Sequence, residues 1–469
     1  MAASRGPLDE VLNYPLLSAL LERRSRRVVR GTSIDSGALS HTSTNAPAPL
    51  SPLEEAVLIV VTGLSGITTH DGPLDVPSGG KELGTPFLNI LARSASSPDN
   101  SQPTRFFLIN DEGIWLIKRL QGAEALAVAR DLPPRWSDWQ EADWIAAAAA
   151  VKTQVSPQRL EFPRQYPYYL GWNRQLSNRP GTSMFLPVTD VTPMYINGIL
   201  NLIEQPPGQR PLFLDDWRGF EPKNPEDVAG WVAEHLGLAP DIPYQPIGGV
   251  ARARGGYVNP QIVVPLGIAG RMLSDHEAYF LQQNLMLVAQ AMGLGAWVHV
   301  CVQSPYVFQQ DSTKGWHGLG FRMEKPTKTW HRWPPLPASQ PNPVGIDGLL
   351  EGRCPPYVTS MSDAVDRLLE EKRAAYADAQ IFARSYADPA LMARFQQDAA
   401  GYTPETIVYA KEICEYIVDT YGRFPAHADA FALPGTWVQI GHLELEYYEK
   451  YFAPFEYRRQ ADHARIWNE

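Results

Sequence analysis

The run Arg23-Arg24-Ser25-Arg26-Arg27 places four guanidinium groups and one hydroxyl within five positions. Guanidinium groups bind phosphate oxygens in pairs and a serine hydroxyl adds a further donor, so arginines flanking a serine suit a terminal phosphate monoester. The same run also fits a solvated helix end, where cations complement the negative end of the helix dipole. The only other grouping with ligand chemistry lies near the C-terminus, where His427 and Asp429 precede His442 and Glu446. Residues four apart share a helix face, as metal ligands often do. The spacing is not that of H-E-x-x-H and no cysteine joins it, so no metal is expected, and a polar cap over a subunit interface is the expected role. No Ser-His-Asp or Cys-His arrangement stands out, so nucleophilic catalysis is not expected.

The arginines end a predicted helix over residues 8–21, which carries Leu12, Leu16, Leu17, Leu20 and Leu21 at helical intervals and is interrupted by Pro15. A second helix is predicted over residues 274–292, with Ala278, Leu281, Leu285, Val288, Ala289 and Met292 on its apolar stripe and Asp275, Glu277, Gln282 and Gln283 off it. Ser274 or Asp275 can cap it. Gly293 and Gly295 end it, and residues 297–301 follow as a short β-branched and aromatic run suited to a buried strand. A helix packed in any α+β core would carry this pattern.

The motifs HEA at 276–278, QQN at 282–284 and LVAQAMGLGAW at 287–297, with R-R-S-x-R upstream in the expected order, resemble those of the FMN-dependent nitroreductase-like family. The resemblance implies an α+β fold with a central antiparallel sheet flanked by helices. It also implies that Arg23, Arg24, Ser25 and Arg27 hold the FMN phosphate and ribityl chain, while Arg26 falls on the variable position and faces solvent. Backbone within residues 297–303 would meet the flavin N5, with Trp297 or His299 nearest the ring. The family closes its phosphate site with a further basic residue, for which Arg322, Lys325 and Arg353 are candidates. It works as a homodimer with two FMN sites, and the small residues Ala289, Ala291 and Gly293 would permit close helix approach. NAD(P)H is the usual electron donor.

The run LSPLEEAVLIVVTGLSGIT at 50–68 resembles the second helix of the SagB-type peptide azoline dehydrogenases, a branch of the same family. That likeness would bring Thr68, Thr69 and His70 near the flavin, although His70 also fits a surface loop. In the chain itself Ser51 caps this helix, Pro52 takes its first position and Glu54 and Glu55 sit in its first turn. The lysine-tyrosine pair of azoline oxidases is not apparent. The expected function is an FMN-dependent oxidoreductase acting on a small conjugated or specialised-metabolite substrate. The alternatives are a SagB-like dehydrogenase of a modified peptide and a non-catalytic flavin-binding or interaction protein.

With 469 residues, 44% hydrophobic and 20% charged, the chain can bury a large core. Its net charge of -10 offers no electrostatic basis for binding nucleic acid or an anionic membrane surface. Cys301, Cys354 and Cys414 are widely spaced, fitting neither a disulfide framework nor a metal knuckle, so a reducing, cytoplasmic compartment is expected. The apolar runs are too short to cross a bilayer.

In chain order, residues 104–119 read as a β-hairpin turning at Asp111-Glu112-Gly113, and residues 258–266 as a short strand. Residues 120–254 read as an insertion rich in tryptophan and tyrosine, which would be core, an inter-subunit surface or a flat pocket. GWHGLGF at 315–321 is not a dinucleotide fingerprint. Residues 326–343 form the expected linker. The expected organisation is therefore an FMN-binding domain over 1–335, with its insertion at about 120–254, and a mostly helical extension over 345–469.

Overall fold

The computed structural model describes residues 6–63, 87–214 apart from 90, 121 and 172, then 249–266, 271–302, 304–325, 342–377, 401–427 and 436–467, together with 232, 236, 387, 388 and 390. In chain order its elements are α1 (Pro7–Leu12), α2 (Leu16–Glu22), α3 (Pro52–Gly63), β1 (Thr104–Asn110), β2 (Gly113–Ile117), α4 (Gly122–Asp131), α5 (Glu141–Val151), β3 (Lys152–Ser156), β4 (Ser183–Thr189), α6 (Thr192–Ile203), β5 (Pro211–Leu214), α7 (Gly249–Arg254), β6 (Asn259–Pro265), α8 (Arg271–Met292) and β7 (Gly295–His299). There follow α9 (Ser304–Phe308), β8 (Arg322–Glu324), β9 (Asn342–Ile346), β10 (Leu350–Glu351), α10 (Met361–Ala377), α11 (Pro404–Tyr421), β11 (Trp437–Gly441), α12 (Leu445–Tyr451), α13 (Arg458–Ala461) and α14 (His463–Trp467).

The α+β expectation holds. Six strands form a sheet in the order β3-β2-β1-β4-β11-β7, antiparallel at every pairing, with smaller sheets β10-β9-β8 and β5-β6 beside it. The predicted hairpin is β1 and β2, paired from Phe106–Ile117 to Asn110–Gly113. Gly113 turns it at φ 129°, where a Cβ would lie within 2.1 Å of the Ser156 carbonyl oxygen. Alternation along the strands divides the core. Phe106, Leu108, Phe185, Val438 and Ile440 face one way, with α3, α5 and α8, while Phe107, Ile109, Met184, Leu186 and Trp437 face the other. A third apolar cluster surrounds α6, α10 and α11.

The sheet draws strands from every range of the expected division. Beside β7 lies β11, from the range read as a helical extension, and next to β11 lies β4, from inside the range read as an insertion. Val438 stands opposite Phe185 on one side and Val298 on the other, so residues 437–441 complete the same core as residues 104–117. Among the described residues no helix is long and apolar enough to cross a membrane.

Local signals account for the elements nearest the candidate site. Ser51 and Glu54 form a reciprocal cap at the start of α3, the Ser51 hydroxyl accepting from Glu54 N at 3.3 Å and the Glu54 carboxylate from Ser51 N at 2.6 Å. Helix α8 begins at Arg271, three residues before the predicted cap at Ser274. Its stripe is buried as expected, Leu281, Leu285, Ala289 and Met292 being inaccessible. Each large side chain of that kind contributes roughly 1.5–3 kcal/mol. Gly293 takes φ 76° at the helix end, and Gly295 lies so close to Leu443 that a Cβ would come within 2.2 Å of it. The chain therefore passes from α8 into β7 without a loop.

Candidate functional site

The arginine run and β7 meet. After Pro15 breaks the leucine-rich segment into α1 and α2, the chain leaves α2 at Arg23 in extended conformation and crosses the free edge of β7, Arg26 N donating to the Ala296 carbonyl at 3.0 Å. Val29 then bridges to Leu443, beyond β11. The run is thus an extended strap rather than a helix end, and its side chains alternate in direction.

That alternation corrects the expectation for Arg26. Its side chain is 9% exposed, donates to the Glu456 carbonyl at 2.9 and 2.7 Å and to the Glu456 carboxylate, and lies 5.8 Å from the ring centres of Tyr448 and Phe452. Arg27 points the opposite way, exposed, with its guanidinium 5.9 Å from the centre of the Trp297 ring. Arg24 is exposed and lies 3.5 Å from the Glu456 carboxylate. Ser25 is exposed and Arg23 half-buried. Among the described residues neither Arg23 nor Arg27 has a carboxylate partner within ion-pair distance, so these two remain the cations available to an anion.

On β7, Trp297 and His299 are both buried, although Val298 between them is exposed. Their rings stack at 4.0 Å with an interplanar angle of 24°, and His299 is tilted 31° to Trp437 at 6.0 Å. The face is roofed by the segment 160–178. Leu170 N donates to the Cys301 carbonyl at 2.8 Å, Asn173 to the Val300 carbonyl at 3.4 Å, and Gln439 fixes Asn178 N and the Leu176 carbonyl. Three buried nitrogens beneath that roof, Trp297 Nε1 and both ring nitrogens of His299, make no hydrogen bond among the described residues. Burial drives the His299 pKa down to about 3, so the ring is neutral and offers one donor and one acceptor. Buried polar atoms with no bond among the described residues, beside the exposed Arg27, are an unusual arrangement for a purely structural strand end, since most buried polar groups are bonded.

Other predicted residues lie elsewhere. Arg322 is exposed on β8, in the three-stranded sheet, and pairs with Glu324 at 2.6 Å. Arg353 lines a separate polar cavity of about 80 Å³ with Arg105, Asp190, Lys372 and His427, and is paired with Glu371 at 2.7 Å. Thr68, Thr69, His70 and Asp429 fall outside the described residues. Of the aromatic residues of 120–254, Trp139, Trp144, Phe162 and Tyr169 are core, whereas Trp136 and Tyr166 are exposed. His442 follows β11 in a loop and Glu446 lies in α12, so they share no helix face; Glu446 instead accepts from the Thr44 hydroxyl at 3.0 Å.

Sequence reasoning missed the burial of Glu277 and Gln282, both set on the polar side of α8. Glu277 binds Arg93 and accepts from Thr104 N at 3.1 Å, and Gln282 bonds the Thr436 carbonyl at 2.9 Å. A helix surrounded by protein buries polar side chains wherever partners meet them, which periodicity does not reveal. Compared with family models, curated proteins and solved structures, the chain matches none.

Proposed function

We propose that the chain is an FMN-dependent oxidoreductase of nitroreductase-like fold, acting as a homodimer on a small conjugated or specialised-metabolite substrate, with NAD(P)H as a possible electron donor. The observation that carries this reading is the convergence of Arg27 with Trp297 and His299, brought from 270 residues apart to the edge of β7. FMN, when bound, would supply two-electron transfer between donor and substrate.

The residues fit such a group. Arg23 and Arg27, with no carboxylate partner among the described residues, carry the positive charge a phosphate monoester requires, and the exposed Ser25 hydroxyl adds a donor. Trp297 Nε1 and the neutral His299 ring supply the buried polar atoms that a heteroaromatic ring edge can satisfy. The roof over residues 297–302 would exclude water from that face. Arg24, already beside Glu456, and Arg322, on another sheet, are the weaker members of the expected set.

The test is an absorption spectrum of the purified protein for flavin bands, followed by FMN titration of variants. Charge-assisted hydrogen bonds contribute about 1.5–3 kcal/mol each, so Arg27→Ala should weaken FMN at least about tenfold with unchanged melting temperature. Arg26→Ala should lower the melting temperature instead, because it removes the buried guanidinium bound to the Glu456 carbonyl and carboxylate. Equal FMN affinity in Arg27→Ala and wild type, or a protein that takes up no FMN at all, would reject the assignment.

The homodimer rests on the apolar surface of α2. Leu16, Leu17, Leu20 and Leu21 are between 48% and 75% exposed, and α2 packs on α8, whose Tyr279 and Phe280 are also exposed. Exposed large apolar side chains grouped on one helix mark an interaction site, and obligate dimers bury more than ~2,000 Å². Light scattering should report two chains for wild type and one for the double variant L17E/L21E. A monomeric wild type at micromolar concentration would exclude the dimer.

A further inference from the structure

Glu54, His442 and His463 converge in the interior from three distant parts of the chain: the first turn of α3, the loop after β11, and the start of α14. Glu54 is inaccessible and each histidine is 8% exposed. Glu54 Oε1 lies 3.1 Å from His442 Nε2 and 3.2 Å from His463 Nε2, and the three atoms all lie within 4.8 Å of one another.

The partners of the remaining polar atoms decide what this cluster can do. His442 Nδ1 lies 3.0 Å from the Ala48 carbonyl oxygen, and His463 Nδ1 lies 3.2 Å from that of Met292. A carbonyl only accepts, so each Nδ1 carries the proton, and in the neutral ring each Nε2 presents a lone pair to Glu54. Glu54 Oε2 is itself occupied by Ser51 N at 2.6 Å. Three lone-pair-bearing atoms are therefore aimed at one point, with their outer atoms fixed by backbone. Histidine ligands of metals are held in this way, the far nitrogen donating to a carbonyl or carboxylate so that tautomer and ring plane are set.

We propose that Glu54 Oε1, His442 Nε2 and His463 Nε2 form a binding site for a divalent transition-metal ion of the zinc class. Bonds of about 2.0–2.1 Å in a tetrahedral arrangement separate neighbouring ligand atoms by about 3.3 Å, which the 3.1 and 3.2 Å separations match closely. Imidazole with carboxylate is a donor set that zinc, iron, nickel and copper all accept, and calcium or magnesium do not favour. Among the described residues these three are the ligands the group offers. The second acidic grouping, His41 with Glu444 and Glu446, is different in kind. Glu444 there already receives Asn45 Nδ2 at 2.7 Å, Gly31 N at 3.2 Å and the Ser43 hydroxyl, leaving little donor capacity for an ion.

The ion would pin α14 and the β11–α12 loop to α3, closing the ends of the chain onto one core, and it does not depend on the flavin reading. Full-length protein is dialysed against a chelator, then titrated with ZnCl2 while bound metal is measured by mass spectrometry and stability by melting temperature. The expected result is about one zinc per chain, a melting temperature lowered by the chelator and restored by zinc, and visible d–d bands when CoCl2 replaces ZnCl2. His463→Gln should retain the far-ultraviolet circular dichroism of wild type and lose zinc affinity by more than about tenfold. Should His463→Gln fail to fold, the wild-type cobalt spectrum still reports imidazole coordination. Wild-type protein that binds neither zinc nor cobalt, or whose melting temperature ignores both chelator and metal, would overturn the site.

Discussion

Glu277→Ala is expected to destabilise the protein by about 3–5 kcal/mol, the range for removing one partner of a buried ion pair. Glu277 is inaccessible in the middle of the structure, bound to Arg93 and to Thr104 N. Arg93 in turn donates to the Thr62 carbonyl at 3.2 Å and to Gln102 Oε1 at 3.0 Å. One carboxylate thus joins α8, the end of α3 and the start of β1. Two further guanidiniums lie close enough to feel it. Burial lowers the pKa of Arg105 to about 10 and that of Arg119 well below its ordinary value, each aided by Arg93 and opposed by Glu277. Removing Glu277 leaves the buried Arg93 and Arg119 and the half-buried Arg105 without that carboxylate, whereas Arg93→Ala leaves Glu277 with Thr104 N and the two remaining arginines. Glu277→Ala should therefore cost more than Arg93→Ala. Urea unfolding followed by tryptophan fluorescence measures both, and a loss below ~1 kcal/mol for Glu277→Ala would show the pair to be replaceable by packing.

The second large effect is in pH. Burial holds folded His299 at a pKa of about 3, while an unfolded histidine titrates near 6.5. A depressed folded pKa means that the unfolded chain takes up the proton first as pH falls. The stability contributed by the neutral ring is complete above about pH 6.5 and is lost progressively toward pH 3. Each pH unit in that window is worth about 1.4 kcal/mol, so roughly 2–3 kcal/mol should be lost by pH 4.5 through this residue. His299→Phe keeps a ring against Trp297 and removes the titration. The acid limb of its stability curve should be flatter than that of wild type over this window. Parallel curves for the two proteins would mean that the wild-type ring is hydrated or bonded on protonation, and the neutral-ring account of β7 would fail with it.

What the sequence by itself determined about this protein is confined to features whose causes lie within about thirty residues. The cap at Ser51, the stripe of α8, the glycine stop at Gly293 and the β1–β2 hairpin are each set by backbone preference or by side-chain period, and all are found where their residues predict. Tertiary structure alone decided the rest. The five-residue β11 and the proline-containing β4 are too short and irregular to announce themselves, and they become strands because their neighbours on both sides supply hydrogen bonds and a two-faced core. Arg26 and Arg27 are adjacent and chemically identical, yet an extended strap turns one toward Glu456 and the other toward Trp297. Glu54 reads locally as a helix cap, and it is one, but its second oxygen faces histidines 388 and 409 positions away. Local rules fix the shape of each segment, while the partner of a buried polar group is chosen by whatever the folded chain brings within three ångströms of it.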